Sequence, residues 1–239
     1  MPLYPLNLKI QNRVCLVIGG GEVAARKIES LLSCGAQVHV ISPTVCDSIR
    51  NLVADGKIEW RQRGFLTGDL QGAFLVFAAT DNRDVQEQVI AEAREHDILL
   101  NCADVPEDCS FQVPAVVRQG ELVLAVSTGG GSPALAAWIR KRLAAEYGAE
   151  YGLLVNLFSS IRSTVIGDGG SSHAHKLVFE KILESDVLAC LRNRNWPELQ
   201  DRLTRYLPGS IDIAALVADL SAHEHSADRL VADRDLRDG

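Results

Sequence analysis

Val14-Cys15-Leu16-Val17-Ile18-Gly19-Gly20-Gly21-Glu22-Val23-Ala24 is the stretch whose reading decides the fold. A short apolar run breaks at three glycines. Then Ala24, Ala25, Ile28, Leu31 and Leu32 recur at helical spacing, with Arg26, Lys27 and Glu29 between them. That order is strand, tight turn, helix. Glycines in such a turn let backbone approach a pyrophosphate, and the helix start offers it unpaired N–H groups. Written as Gly19-x-Gly21-x-x-Ala24, the pattern is the dinucleotide-binding fingerprint with alanine in the last place. A glycine pattern alone is weak evidence; its position between a strand and a helix strengthens it.

Working outward, residues 1–12 read as a lead-in limited by Pro2 and Pro5. Gly35 ends the first helix, and a strand over 37–41 stops at Ser42-Pro43. A helix over 44–55 and a short strand over 58–61 follow. Leu75-Val76-Phe77-Ala78-Ala79 is nearly unbroken apolar sequence, the pattern of a parallel strand covered on both faces. Thr80-Asp81-Asn82 caps a helix over 83–95, and 98–102 gives another strand. The alternation predicts an α/β, Rossmann-like doubly wound parallel sheet, in a first domain of residues 1–113. A strand over 122–127 then runs into Thr128-Gly129-Gly130-Gly131-Ser132-Pro133 and a helix over 134–146. That second glycine loop reads equally as an anion-binding turn and as a flexible connection. From 151 to 222 the spacing is helical, with helices predicted over 173–192, 196–206 and 211–221. The charged tail over 223–239 is expected to stay disordered.

The chain has 239 residues, 47% of them hydrophobic, and a formal charge of -7. That charge argues against a general grip on nucleic acid. No apolar run is long enough for a membrane span, and no basic region with a greasy stretch opens the chain, so a cytoplasmic protein is expected. None of the six cysteines forms a Cys-x-x-Cys pair, which fits buried thiols in a reduced compartment and no resident metal.

Ligands of doubly wound sheets lie beyond the carboxyl ends of the strands. This gathers four loops: Gly19–Val23, Ser42–Thr44, Ala79–Asn82 and Asp104–Ser110. Glu22 favours the helix start and is also a candidate for placing a cofactor. The second strand ends in Ser42-Pro43 without the acidic residue that usually holds the ribose diol, and Arg61 and Arg63 lie too far along to mark a clear 2′-phosphate site. NAD is the expected cofactor. Asp104 sits at a strand end and reads either as a turn cap before Pro106 or as a general acid/base or metal-handling carboxylate. Cys109 lacks an evident histidine partner nearby, and His173 and His175 follow a Gly/Ser loop without an assigned role.

With these residues in view, the chain resembles the precorrin-2 dehydrogenase / sirohydrochlorin ferrochelatase family, the N-terminal part of siroheme synthases. The resemblance rests on five marks in order: 17–27 (Val17-Ile18-Gly19-Gly20-Gly21-Glu22-Val23-Ala24, then Arg26-Lys27), Phe77–Asp81, Asn101-Cys102-Ala103-Asp104, Ser110-Phe111-x-x-Pro114-Ala115, and Leu124–Ala134. It implies NAD-dependent oxidation of precorrin-2 to sirohydrochlorin, and in many members insertion of Fe²⁺ to give siroheme. It also implies a homodimer, with a central dimerisation region over 114–150 and a helical domain over 151–222. Asp104 takes the place of the family's key carboxylate. The resemblance puts cofactor contacts on Glu22, Val23, Pro43, Thr44, Ala79, Thr80 and Asp81, beside Gly19 and Gly21 of the fingerprint and Ser42 at the strand end. Arg118, Arg140, Lys141, Arg142 and Arg162 are candidates for the substrate carboxylates. Cys102 stands where an aliphatic is usual, and Thr128 where some relatives have serine. The alternatives are a dedicated dehydrogenase without chelatase activity and a non-catalytic NAD(H)-sensing module.

Overall fold

The computed structural model describes residues 3–103, 105–167 and 172–222, with no side-chain description of Pro106, 164–167 or 172–175. The chain forms two compact units. One holds the described residues up to Val113 together with Gly129–Gly131; the other holds Pro114–Thr128 and the chain from Ser132 onward.

The first unit is built on five parallel strands in the order β3-β2-β1-β4-β5, with β1 Val14–Ile18, β2 Gln37–Ile41, β3 Glu59–Arg61, β4 Leu75–Ala78 and β5 Leu99–Cys102. Register follows side-chain alternation. Cys15 and Val17 of β1, with Leu75 and Phe77 of β4, face one core, while Leu16, Ile18, Val76 and Ala78 face the other. Helix α1 (Glu22–Leu32) covers the first face with Ala24, Ala25, Ile28 and Leu31, and α2 (Asp47–Ala54) adds Ile49. Helix α3 (Arg83–Glu95) covers the second with Val89, Ile90 and Ala93. Helices therefore lie on both faces, which is why all four residues of β4 are buried. A fully buried side chain such as Ile28 stabilises the fold by about 1.5–3 kcal/mol.

Helix α2 starts three residues later than its sequence pattern suggests. Ser42 Oγ donates to the Thr44 carbonyl at 2.7 Å, and the Cys46 amide donates to the Gly20 carbonyl at 2.8 Å. Residues 42–46 are thus used to seat the loop on the glycine turn.

The second unit opens with an antiparallel ribbon, β6 (Ala115–Gln119) against β7 (Leu122–Val126). Strand β6 is absent from the sequence reading; its pairing with β7, not its own propensity, makes it a strand. Helices α4 (Pro133–Glu146), α5 (Ala149–Gly167), α6 (Ser172–Leu183), α7 (Val187–Arg192) and α8 (Trp196–Tyr206) follow, with a last helical stretch over 213–222. Their core includes Leu157, Ile161, Ile182, Leu191, Leu199 and Leu203. Gly152 lies against the ribbon turn, where a Cβ would sit 2.6 Å from the Gln119 carbonyl oxygen. The single helix expected over 173–192 is two. Ser185 Oγ donates to the Ile182 carbonyl at 2.7 Å and accepts from the Val187 amide at 3.3 Å, ending α6 and starting α7 with one side chain. The tail over 223–239 lies outside the described residues.

Candidate nucleotide site

The strand order reverses between β1 and β4, and a cleft of about 780 Å³ opens there at the carboxyl ends of the strands. Each glycine at the end of β1 does a different job. Gly19 has φ +125°, and a Cβ there would lie 2.2 Å from the Ala79 carbonyl oxygen. A Cβ on Gly20 would lie 2.0 Å from the Thr44 carbonyl oxygen. These two let the β4 and β2 loops close on the turn. Gly21 is the opposite case, since a Cβ there would meet nothing within 4 Å. It is the N-cap of α1 and supplies no side-chain cap, so the first amides of the helix are not capped from the helix start. An open space in front of uncapped helix amides fits an anionic phosphate group.

The cleft brings together Gly19, Gly21, Glu22, Val23, Ser42, Pro43, Thr44, Ala79, Thr80 and Asp81, every cofactor contact named from the sequence. Gly64, Phe65, Asn82, Val85 and Ala103 also line it. Gly64 and Phe65 belong to the irregular segment after β3, where no periodicity marks a role. The β4 loop is fixed from α3: Asn82 Oδ1 accepts from the Val85 amide at 3.1 Å, and Gln86 Nε2 donates to the Thr80 carbonyl at 2.6 Å. Ser42 is buried, so little of its side chain meets solvent at the cleft edge.

Asp104 lies outside the described residues. Its neighbour Ala103 lines the cleft, with its amide donating to the Ala78 carbonyl at 3.1 Å. The loop is tied at both ends. Asn101 Nδ2 donates to the Phe111 carbonyl at 3.0 Å, and Ser110 Oγ accepts from the Leu100 amide at 2.7 Å. Cys109 Sγ accepts from the Cys102 amide at 3.0 Å and lies within 3.4 Å of the Cys102 and Val105 carbonyls. This sulfur staples a loop. Burial, with Cys109 and Asp108 nearby, pushes the Cys102 thiol up to about 11, so it stays protonated. Lys27 stacks over the Phe77 ring at 5.2 Å, and burial, aided by Arg26, lowers its pKa.

Of the cations named from the sequence, Arg142 stacks on Trp138 at 4.9 Å, Lys141 and Arg162 are exposed, and Arg140 is half-buried. His173 and His175 have no described side chains. Among the described residues no helix is long and apolar enough to cross a membrane.

The chain is similar to known proteins along most of its length. Residues 6–115 match a family model described as "Putative NAD(P)-binding", and residues 119–146 match one described as siroheme biosynthesis protein central. The siroheme synthase of Nitrosomonas eutropha is 35% identical over 213 residues, 89% of this chain and 45% of that protein. The siroheme synthase of Methylococcus capsulatus is 38% identical over 184 residues, 77% of this chain and 39% of that protein. The chain thus spans less than half the length of these curated relatives. The solved structure of SirC, precorrin-2 dehydrogenase, superposes with a TM-score of 0.71 at 27% identity, covering 85% of this chain and 100% of that one. The chain carries an NAD-binding fold, and its N-terminal domain resembles the precorrin-2 dehydrogenase / siroheme synthase family.

Proposed function

We propose that the chain is an NAD-dependent dehydrogenase that oxidises precorrin-2 to sirohydrochlorin. The observation that carries this reading is the likeness to SirC across the whole of that chain, with the glycine-turn cleft in place. Its volume lies within the roughly 300–1,000 Å³ of small-molecule and cofactor sites. The Gly19–Val23 turn and the α1 amides would hold the pyrophosphate, Ser42–Thr44 the adenosine side, and Ala79–Asp81 the rest of the nucleotide. Bound NAD supplies the hydride acceptor. The macrocycle must also lose a proton, and Asp104, two residues after β5, is the proposed acceptor. That role rests on the resemblance and on Ala103 reaching the cleft.

We take the protein as a homodimer. Val123 of β7 and Leu135 and Trp138 of α4 are exposed apolar side chains in the region matching the siroheme central family, which supports a second copy as their cover. Iron insertion is a separate activity, which the same assay reads.

The test is anaerobic incubation of precorrin-2 with NAD and purified protein, followed by addition of Fe²⁺, for the unaltered chain and Asp104→Asn. Sirohydrochlorin formation that falls about 100-fold or more in the variant is the expected outcome. A variant as active as the unaltered chain removes Asp104 from the chemistry. Siroheme formed faster than without protein would add the chelatase step.

A further inference from the structure

We propose that Asp69 sets a preference for NAD over NADP by keeping the guanidinium groups of Arg61 and Arg63 from a 2′-phosphate. The inference rests on the nucleotide-binding reading above and goes further by naming what selects the nucleotide.

The end of β2 has no carboxylate to accept from a ribose diol, and the Ser42 hydroxyl donates to the Thr44 carbonyl. The neighbouring strand brings charge to this place. Arg61 is in register with Ile41, the Ser42 amide donates to the Arg61 carbonyl at 3.4 Å, and Trp60 Nε1 donates to the Ser42 carbonyl at 2.9 Å. The chain then passes through Arg63 to Gly64 and Phe65, which line the cleft. Sequence distance hides this, because the parallel pairing of β2 with β3 is what brings the Arg61 backbone beside Ser42. Neither arginine lines the cleft, yet each adjoins a residue that does, Arg61 through Ser42 and Arg63 through Gly64, and guanidinium groups turned into it are what a 2′-phosphate would bind.

Asp69 engages both. Arg63 donates from Nη1 and Nη2 to its two oxygens at 2.6 Å each, a bidentate fork. Arg61 Nη1 lies 3.5 Å from Asp69 Oδ1. The carboxylate is well shielded, with 8% of its side chain exposed, and also accepts from the Leu66 amide at 2.9 Å. Arg63 Nη1 donates as well to the Gly64 carbonyl at 2.9 Å, so both Nη1 protons and one Nη2 proton are engaged within its own loop. Arg61 is held to the same carboxylate by the longer contact.

The test is titration calorimetry of the full chain with NAD and with NADP. The unaltered chain is expected to bind NAD more tightly. Asp69→Asn, which retains an acceptor for the Leu66 amide, should tighten NADP about tenfold while NAD stays within about twofold. Adding Arg61→Ala to Asp69→Asn should reverse part of that gain for NADP alone, which tests the released arginine separately from Asp69. Equal weakening of both nucleotides in Asp69→Asn, or NADP binding unmoved in both variants, overturns the inference and leaves the nucleotide site standing. Failure of the unaltered chain to bind either nucleotide overturns the nucleotide-binding reading and this inference with it.

Discussion

Gly20 and Gly21 are adjacent and chemically identical, yet substitution should act through different physics. A methyl group on Gly20 meets backbone at 2.0 Å, so Gly20→Ala must push the β2 loop off the turn. A loss of about 3 kcal/mol is expected in urea denaturation. Gly21→Ala meets nothing within 4 Å, and the cost of alanine at an N-cap is at most about 1 kcal/mol. Its fold should survive while NAD binding weakens, since the methyl enters the space in front of the α1 amides. Equal stability loss in the two variants would contradict these separate roles. Asp69 also carries a pH signature. The Arg63 hydrogen bonds, with the Leu66 amide and Arg61 assisting, hold its carboxyl below the usual range. A depressed carboxyl stabilises the fold above its unfolded pKa of about 3.9, and that contribution disappears as pH falls through the folded value. Stability of the unaltered chain should therefore drop more steeply below about pH 4 than that of Asp69→Asn. Parallel acid limbs would contradict it.

Elements were legible in the sequence where local pattern and tertiary partner agree. The helix over 83–95 is read to the residue because Asn82 caps it and its apolar stripe faces the sheet. Strand β4 is equally plain, since burial on both faces demands an unbroken apolar run. Non-local partners erase the signal elsewhere. Strand β6 exists through pairing with β7, the break between α6 and α7 turns on one serine hydroxyl, and Gly64 and Phe65 reach the cleft from a segment without periodicity. The glycine turn and its companion loops were legible because they stand at strand ends; the link from Arg61 to Ser42 was not, because it depends on sheet order. Gln86 is another residue without a sequence signal. Its buried side chain holds the Thr80 carbonyl, so Gln86→Ala should cost about 1–3 kcal/mol by leaving that oxygen without its donor. The same variant should weaken NAD binding through the misplaced β4 loop. Unchanged nucleotide affinity would confine Gln86 to stability.

For the molecule as a whole, each unit has its own core, and every cleft-lining residue named here belongs to the first. Saturating NAD should slow amide exchange most in Gly19–Val23, Ser42–Thr44 and Ala79–Asp81. A thermodynamic gain of about 2.7 kcal/mol is expected at a hundredfold excess over Kd. Protection confined to α5–α8 would place the nucleotide elsewhere. The most direct test of the central claim is anaerobic turnover of precorrin-2 by the purified chain, with NADH and sirohydrochlorin measured together. The account predicts equimolar appearance of the two products, dependent on added NAD and on the protein. NAD bound in the cleft without any NADH formed from precorrin-2 would contradict the dehydrogenase reading and leave a nucleotide-binding domain of another purpose.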